Sequence, residues 1–203
     1  MKNYQVNNGI NNRIIYNEKT FNFLGINING DNNLIQIGDY NNISPRNCSI
    51  DIKGHYNKII INDNISIKGM SISIVGNNNL VFIGNNTSFN NKCEIYCSLG
   101  KSIHIGEDCI FSKNISISTS DIYTLYDIKT DEIINPPQNI YIGDHVWICE
   151  ECFIQKGSKV LDDSIVEAYS IVNKEFTEKN ILIAGQPAQI LKKNINWDKR
   201  VNI

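Results

Sequence analysis

The chain has 203 residues, of which 41% are hydrophobic and 20% charged, and its formal net charge is -2. That is enough sequence for one substantial soluble domain. Near-neutral charge without a Lys/Arg-rich stretch argues against nucleic acid or an anionic membrane surface as the main partner and favours a small molecule or a glycan.

The N-terminus, Met1-Lys2-Asn3-Tyr4-Gln5, runs into polar sequence with no apolar h-region, and no segment reaches the length of a membrane span. A cytoplasmic location is the expectation. Over residues 1–80 the register looks loose, but β-type alternation recurs in Ser49-Ile50-Asp51-Ile52, Ile59-Ile60-Ile61 and Ser71-Ile72-Ser73-Ile74. Asn-rich turns such as Gly30-Asp31-Asn32-Asn33 and Gly76-Asn77-Asn78-Asn79 separate these runs. Asn tolerates left-handed turns and can form hydrogen-bonded ladders between stacked coils, so this part is read as irregular N-terminal β-helix coils. His55 falls in one of the turns and is read as solvated.

A repeating frame occupies residues 81–176. Ile83-Gly84-Asn85, Ile105-Gly106-Glu107 and Ile142-Gly143-Asp144 mark coil starts, with Ile37-Gly38-Asp39 as an upstream echo. From Ile83 the frame passes Phe89 and Ile95, gains four residues before Ile105, and continues through Phe111 and Ile117; the gain predicts a small bulging loop. The next start is Ile142, so an excursion of about 119–139 leaves the coil, and Pro136-Pro137 stiffens its return. A long loop interrupting a regular solenoid is costly to order and is read as functional. From Ile142 five unbroken hexapeptides open on Ile142, Ile148, Ile154, Val160 and Val166, with small or modest residues at their fifth positions. A hexapeptide fits one flat side of a triangular coil, and three hexapeptides make a turn.

The predicted fold class is all-β, a left-handed parallel β-helix in one continuous domain. Residues 177–203, with a short, basic, amphipathic stretch from Gln189 to Arg200, are predicted to form a helical cap over the open end. Cys93, Cys109 and Cys152 fall on the small fifth positions, which suits buried thiols at tight corners. The lone Cys149-Glu150-Glu151-Cys152 has no second pair and no nearby His, so no metal is expected.

Strand alternation turns Trp147 and Cys149 outward if Ile148 points inward. Trp147 and Ile165, and likewise Phe153 and Ile171, are three hexapeptides apart and should stack as outward apolar columns suited to subunit contact or a ligand groove.

The hexapeptides, the excursion after Ser120-Asp121, the run Ile142-Gly143-Asp144-His145-Val146-Trp147-Ile148 and the run Ala184-Gly185-Gln186-Pro187-Ala188 together resemble the hexapeptide-repeat acyltransferases. The likeness is to the branch of O-acetyltransferases that modify sugars and surface polysaccharides. It extends over Ile105 to Lys193 and is architectural before that. The resemblance implies acetyl-CoA as acyl donor, a sugar, nucleotide sugar or glycan acceptor, and a homotrimer with the active site in a cleft between neighbouring subunits. It implies Glu150, Ala168, Asn173, Lys174 and Lys192 on the cofactor side, and Tyr123, His145 and Trp147 around the reacting groups.

Acyl transfer to a hydroxyl needs a base for the hydroxyl proton and a donor for the developing oxyanion. The family pattern supplies that base as a His in the excursion, where this chain has Tyr123. A free phenol titrates near pH ~10, so a Tyr there suits orienting a hydroxyl better than deprotonating one, and His145 is the candidate to replace the base. His104, outward on a coil face, is a weaker one. Cys149 and Glu167 stand where the family commonly has Gly, and Gln189 where it often has a basic residue. Two readings follow: an acetyl-CoA-dependent O-acetyltransferase, or a catalytically impaired homologue acting as a binding or scaffold protein.

Overall fold

The computed structural model describes residues 5–17, 25–44 and 48–199; residues 1–4, 18–24, 45–47 and 200–203, which include most of the quoted N-terminal run and the end of the predicted cap, lie outside the described part. The fold is an all-β, left-handed parallel β-helix. Its first face stacks seven parallel strands: Arg13–Ile15, Leu34–Ile37, Lys58–Ile61, Leu80–Ile83, Ser102–Ile105, Ile140–Ile142 and Lys159–Val160. The second face runs from Asn42–Ile43 and Ser66–Ile67 to Trp147–Ile148, Ile165–Val166 and Ile181–Gly185. The third runs from Gln5–Asn8 through Gly25–Asn29, Cys48–Lys53 and Met70–Val75 to Phe153–Ile154 and Ile171–Val172. Ser88–Ser98 and Ile110–Ser118 bend round a corner and belong to both of these faces.

Every second residue of each strand points into the prism, so the core is a stack of aliphatic rows. Ile35, Ile59, Val81 and Ile103 form one such row and are fully buried. Phe89 and Phe111, stacked at 4.8 Å, are buried in the middle of the prism. At ~25 cal/mol per Å2 of apolar surface removed from water, this burial is the main force holding the coils closed.

The N-terminal register is regular, although the sequence reads as loose. Ile35 pairs with Ile59, Ile59 with Val81 and Val81 with Ile103. Each of these intervals is longer than three hexapeptides, and the first is longer than the next two, which hides the register from a search for a fixed period. The added residues lengthen the third side: Cys48–Lys53 and Met70–Val75 have 6 residues each, against 2 residues each in Phe153–Ile154 and Ile171–Val172. The four residues gained before Ile105 follow the same plan. They extend Ser88–Ser98 along the third face and turn at Leu99 and Gly100, both at positive φ, so they do not form a separate bulge.

An asparagine ladder closes these long coils. Asn12 Oδ1 accepts from the backbone N and Nδ2 of Asn33, Asn33 Oδ1 from those of Asn57, and Asn57 Oδ1 from those of Asn79. Asn33, Asn57 and Asn79 are buried, and among the described residues no buried side-chain nitrogen or oxygen lacks a partner. The ladder ends where Asn79 Oδ1 accepts from the Lys101 N–H at 3.1 Å, and in the C-terminal coils Ser158, Ser164, Ser170 and Cys152 are small buried residues beside the strands. Close approach also selects glycine: a Cβ on Gly106 would lie 2.5 Å from the Gly143 carbonyl oxygen and 2.3 Å from Asp144 Oδ1.

The predicted helical cap is corrected to a β-hairpin, and no helix occurs among the described residues. Ile181–Gly185 continues the second face, with Leu182 beside Ile165, and Ala188–Lys193 folds back antiparallel. The last coil leaves an unpaired edge whose backbone groups a strand can satisfy and a helix cannot. The burial of Ile181 and Ile183 also follows a period of two, not 3.6.

Candidate active site

Three corners per turn give the C-terminal coils their shape. At the corner between the first and second faces, the residues just before the buried small ones are His145 (φ 53) and Asp163 (φ 58), both left-handed and one coil apart. The turn aims both side chains outward and alongside each other. His145 Nδ1 lies 2.9 Å from Asp163 Oδ1, with the imidazole 30% and the carboxylate 36% exposed. A carboxylate on Nδ1 fixes the tautomer and leaves Nε2 as the acceptor, the arrangement of an oriented general base.

Trp197 completes the cluster. Its indole stacks on the imidazole with centroids 4.2 Å apart and donates from Nε1 to the His145 carbonyl at 2.9 Å. Trp147 lies at 5.9 Å from Trp197 and donates to Ser112 Oγ at 3.2 Å. The chain past the hairpin reaches this corner by way of the Ile195 N–H bond to the Asn180 carbonyl.

From Trp147 a row of outward residues crosses the second face in register: Trp147, Ile165, Leu182 and, on the returning hairpin strand, Lys192. At ~4.8 Å per strand the row is about 14 Å long. It is apolar until it ends on an ammonium group. Ala168 lies one coil beyond Glu150 at the next corner, with Cys149 and Glu167 beside them, and Glu150 is held by Lys113 at 2.9 Å. Asn173 is exposed, whereas Lys174 donates to Gln189 Oε1 at 2.7 Å and sits 5.3 Å from the Phe176 ring centroid. An apolar row ending on one lysine, Lys192, has the chemistry to take a pantetheine arm with a phosphate at its far end.

Neither thiol of the Cys149–Cys152 pair is a ready nucleophile. Burial pushes Cys149 up to about 12 and Cys152 to about 11, and the Cys152 thiol donates to the Glu167 carbonyl at 3.1 Å. Cys93, Cys109 and Cys152 are buried, as their places in the frame predict. Among the described residues no group of three or more His, Cys, Asp or Glu could hold a metal ion.

Tyr123 stands elsewhere. The excursion leaves the end of the third face, closes at its neck through the Gln138 N–H bond to the Thr119 carbonyl, and folds on itself by an antiparallel bridge between Tyr126 and Ile133. Asn135 ties it together: Nδ2 donates to Asp121 Oδ2 and to the Tyr123 carbonyl, both at 2.9 Å, while Oδ1 accepts from the Leu125 N–H at 2.7 Å. Lys156 Nζ reaches Asp121 Oδ2 at 2.5 Å and holds that carboxyl below the usual carboxylate range. Tyr123 itself is 82% exposed, and among the described residues no hydrogen bond or ring contact joins it to His145 or Trp147. His104 belongs to a stacked row between Phe82 at 4.8 Å and Tyr141 at 4.9 Å, and burial lowers its pKa. His55 is exposed, and its Nδ1 accepts from the Asp31 N–H at 3.1 Å.

Sequence reasoning misses Asp163, Trp197, Asn135 and Lys156. Asp163 carries a usable signal, because it stands three hexapeptides after His145 and one turn of the frame places it on the same corner. A Trp inside an otherwise polar C-terminal segment is a weaker signal.

No family model matches the chain. It is 31% identical over 194 residues to the polysialic acid O-acetyltransferase of Neisseria meningitidis, covering 95% of this chain and 88% of that protein. Against the polysialic acid O-acetyltransferase of Escherichia coli O1:K1 / APEC it is 30% identical over 96 residues, or 47% of this chain, and spans only 31% of that relative's length. In three dimensions it matches the solved structure of the polysialic acid O-acetyltransferase OatWY with a TM-score of 0.89 at 28% identity, covering 98% of this chain and 92% of that one. The polySia-specific acetyltransferase NeuO matches with a TM-score of 0.72 at 28% identity, covering 87% and 89%.

Proposed function

The chain belongs to the hexapeptide-repeat acyltransferases, in their sugar O-acetyltransferase branch, and we propose that it transfers an acetyl group from acetyl-CoA to a hydroxyl of a surface glycan. The observation that carries this reading is the His145–Asp163 pair standing beside Trp147, at the head of the apolar row that ends on Lys192. Acetyl-CoA supplies the activated acyl group. His145 Nε2 accepts the proton of the acceptor hydroxyl as its oxygen bonds to the acyl carbon, and returns that proton to the departing thiolate. Asp163 holds the imidazole in the required tautomer and offsets the charge it gains. Trp147 walls the reacting end, Lys192 and Lys174 attract the phosphates, and Glu150, Ala168 and Asn173 line the corners alongside.

Tyr123 orients the acceptor. Within one chain it is apart from His145, so the reading includes a homotrimer in which a neighbour's excursion completes the cleft. Ile122, Tyr123, Leu125, Tyr126, Ile128 and Ile133 are all large, apolar and exposed, a concentration that suits burial against a second copy. We place the protein in the cytoplasm, where CoA thioesters are available, as one continuous domain. No helix among the described residues is long and apolar enough to cross a membrane.

The test is release of CoA from acetyl-CoA by the assembled protein with a panel of glycans, alongside calorimetry with CoA. Turnover with some glycan is expected, and His145→Ala should reduce it by about 10²–10⁴-fold while CoA affinity stays unchanged. Absence of CoA release with every glycan, despite a trimeric mass in solution, would return the weight to the scaffold reading.

A further inference from the structure

The third face carries a hollow that the acyl-transfer chemistry does not use. Two adjoining cavities of about 240 and 350 Å3 lie along it, sharing Ser116 and Ser118 as floor and Ile122 as roof. The strand register sets their floor in two outward rows. One runs Ser71, Glu94, Ser116 and Phe153; the other runs Ser73, Tyr96 and Ser118. Three strand spacings make the longer row about 14 Å, more than one sugar ring requires. Ile122, a β-branched residue held at φ 70, projects over the junction of the two cavities, and Tyr123 follows it.

The lining chemistry selects the occupant. The half-buried hydroxyls of Ser71, Ser73 and Ser116 meet no hydrogen-bond partner among the described residues, and each can donate and accept. Phe153, 51% exposed, offers a ring face at one end of the longer row, and Tyr96 offers another in the middle of the shorter one. The charges on the walls are Glu94, Asp121 and Lys156. Lys156 is committed to Asp121 and the Asn135 carbonyl, and the Lys92 ammonium is 4.0 Å from Glu94. The corner that carries His145 holds Glu107, Asp108, Asp144 and Asp163, with Lys179 beside them paired to Asp162. With Lys156 and Lys92 already matched to carboxylates, a polyanionic chain would find no spare cation in the groove to answer it.

We propose that this groove binds several consecutive residues of an uncharged, hydroxyl-rich glycan and delivers one of them to Tyr123. The proposal rests on the glycan O-acetyltransferase reading for its purpose, but binding is measured without acetyl-CoA, so the two can fail separately.

The experiment exposes the assembled protein to an array of neutral and sialylated oligosaccharides of increasing length, from monosaccharides upward, at low and high salt. Neutral members should be retained, more tightly as the chain grows from a monosaccharide to a trisaccharide and beyond, with little dependence on salt. Tyr96→Ala and Phe153→Ala should each weaken retention about tenfold while CoA affinity and the mass of the assembly stay unchanged. Retention of sialylated members only, retention indifferent to both substitutions, or retention of no member overturns the proposal. Dissociation of the assembly by Tyr96→Ala also overturns it, because the face would then be a subunit contact. Loss of CoA binding with intact neutral-glycan retention would instead overturn the acetyl-transfer reading and leave the groove standing.

Discussion

The N-terminal and C-terminal halves of this prism solve one problem in two ways. Both must turn a parallel strand through a corner without orphaning the buried backbone groups. The N-terminal coils do so with Asn33, Asn57 and Asn79, whose amides bond to the coils on either side. The C-terminal coils have no buried amide ladder among the described residues, and small buried Ser and Cys residues beside each strand close their shorter turns. One half is thus locked along its axis by side-chain amides bonded to one another, whereas the other is tied by single hydroxyl and thiol bonds to backbone groups of the next coil. In the half with shorter turns, three hexapeptides set His145 and Asp163 one coil apart on the same corner.

That contrast can be broken, and the ladder is the first place to try. Asn57→Leu removes the acceptor used by Asn79 and the donor to the Gly76 carbonyl. With ~1–3 kcal/mol for each orphaned buried group, the loss should be about 3–5 kcal/mol. Denaturant unfolding reads the loss, and hydrogen exchange should show the N-terminal coils opening first. Equal protection across both halves would mean that the ladder is dispensable.

Gly106→Ala tests the junction between the halves. The new methyl would sit 2.5 Å from a backbone oxygen that cannot swing aside, so a destabilisation of about 1–3 kcal/mol is expected in the same unfolding assay. Ser164→Ala comes next. It removes a bond to the Asp162 carbonyl at 3.2 Å and one from the Ile181 N–H at 3.4 Å, and should cost about 1 kcal/mol. A penalty as large as that of Asn57→Leu would erase the distinction between the corners.

The smallest effect separates the halves by pH. Lys156 holds the Asp121 carboxyl below its usual value, so the tie is full above the ordinary carboxylate range and is lost as pH falls through the lowered folded value. The excursion should become several-fold more open to an acid-active protease there, while the Asn ladder, which carries no titrating group, keeps the first coils protected. Cleavage that is flat across that range would remove Asp121 as the excursion's tie.

The C-terminal architecture is readable from sequence because a period of six is incompatible with ordinary helices and sheets. The N-terminal register is hidden because Ile35, Ile59, Val81 and Ile103 recur at longer and unequal intervals. The stacking of Trp147 on Ile165 and of Phe153 on Ile171 follows from the spacing alone. The cap does not, since composition from Gln189 onward suggests a helix while an exposed sheet edge, a tertiary feature, makes it a strand. Tyr123 falls on the excursion in sequence and in structure alike. Asn135, inside the excursion, and Lys156, well downstream of it, hold that segment together and to the prism, and no periodicity connects them to Tyr123.

One row of left-handed residues has a wider consequence. Tyr40, Asn64, Asn86, Asp108, His145, Asp163 and Asn180 occupy equivalent positions along a single edge, each turned outward by the same backbone. Such an edge works like a rail of identical mounts. A side chain can be exchanged at any of them without disturbing the core, so an oriented acid–base pair could migrate a coil up or down by two substitutions. In that sense the location of the chemistry is modular, while the geometry that serves it is shared by every turn.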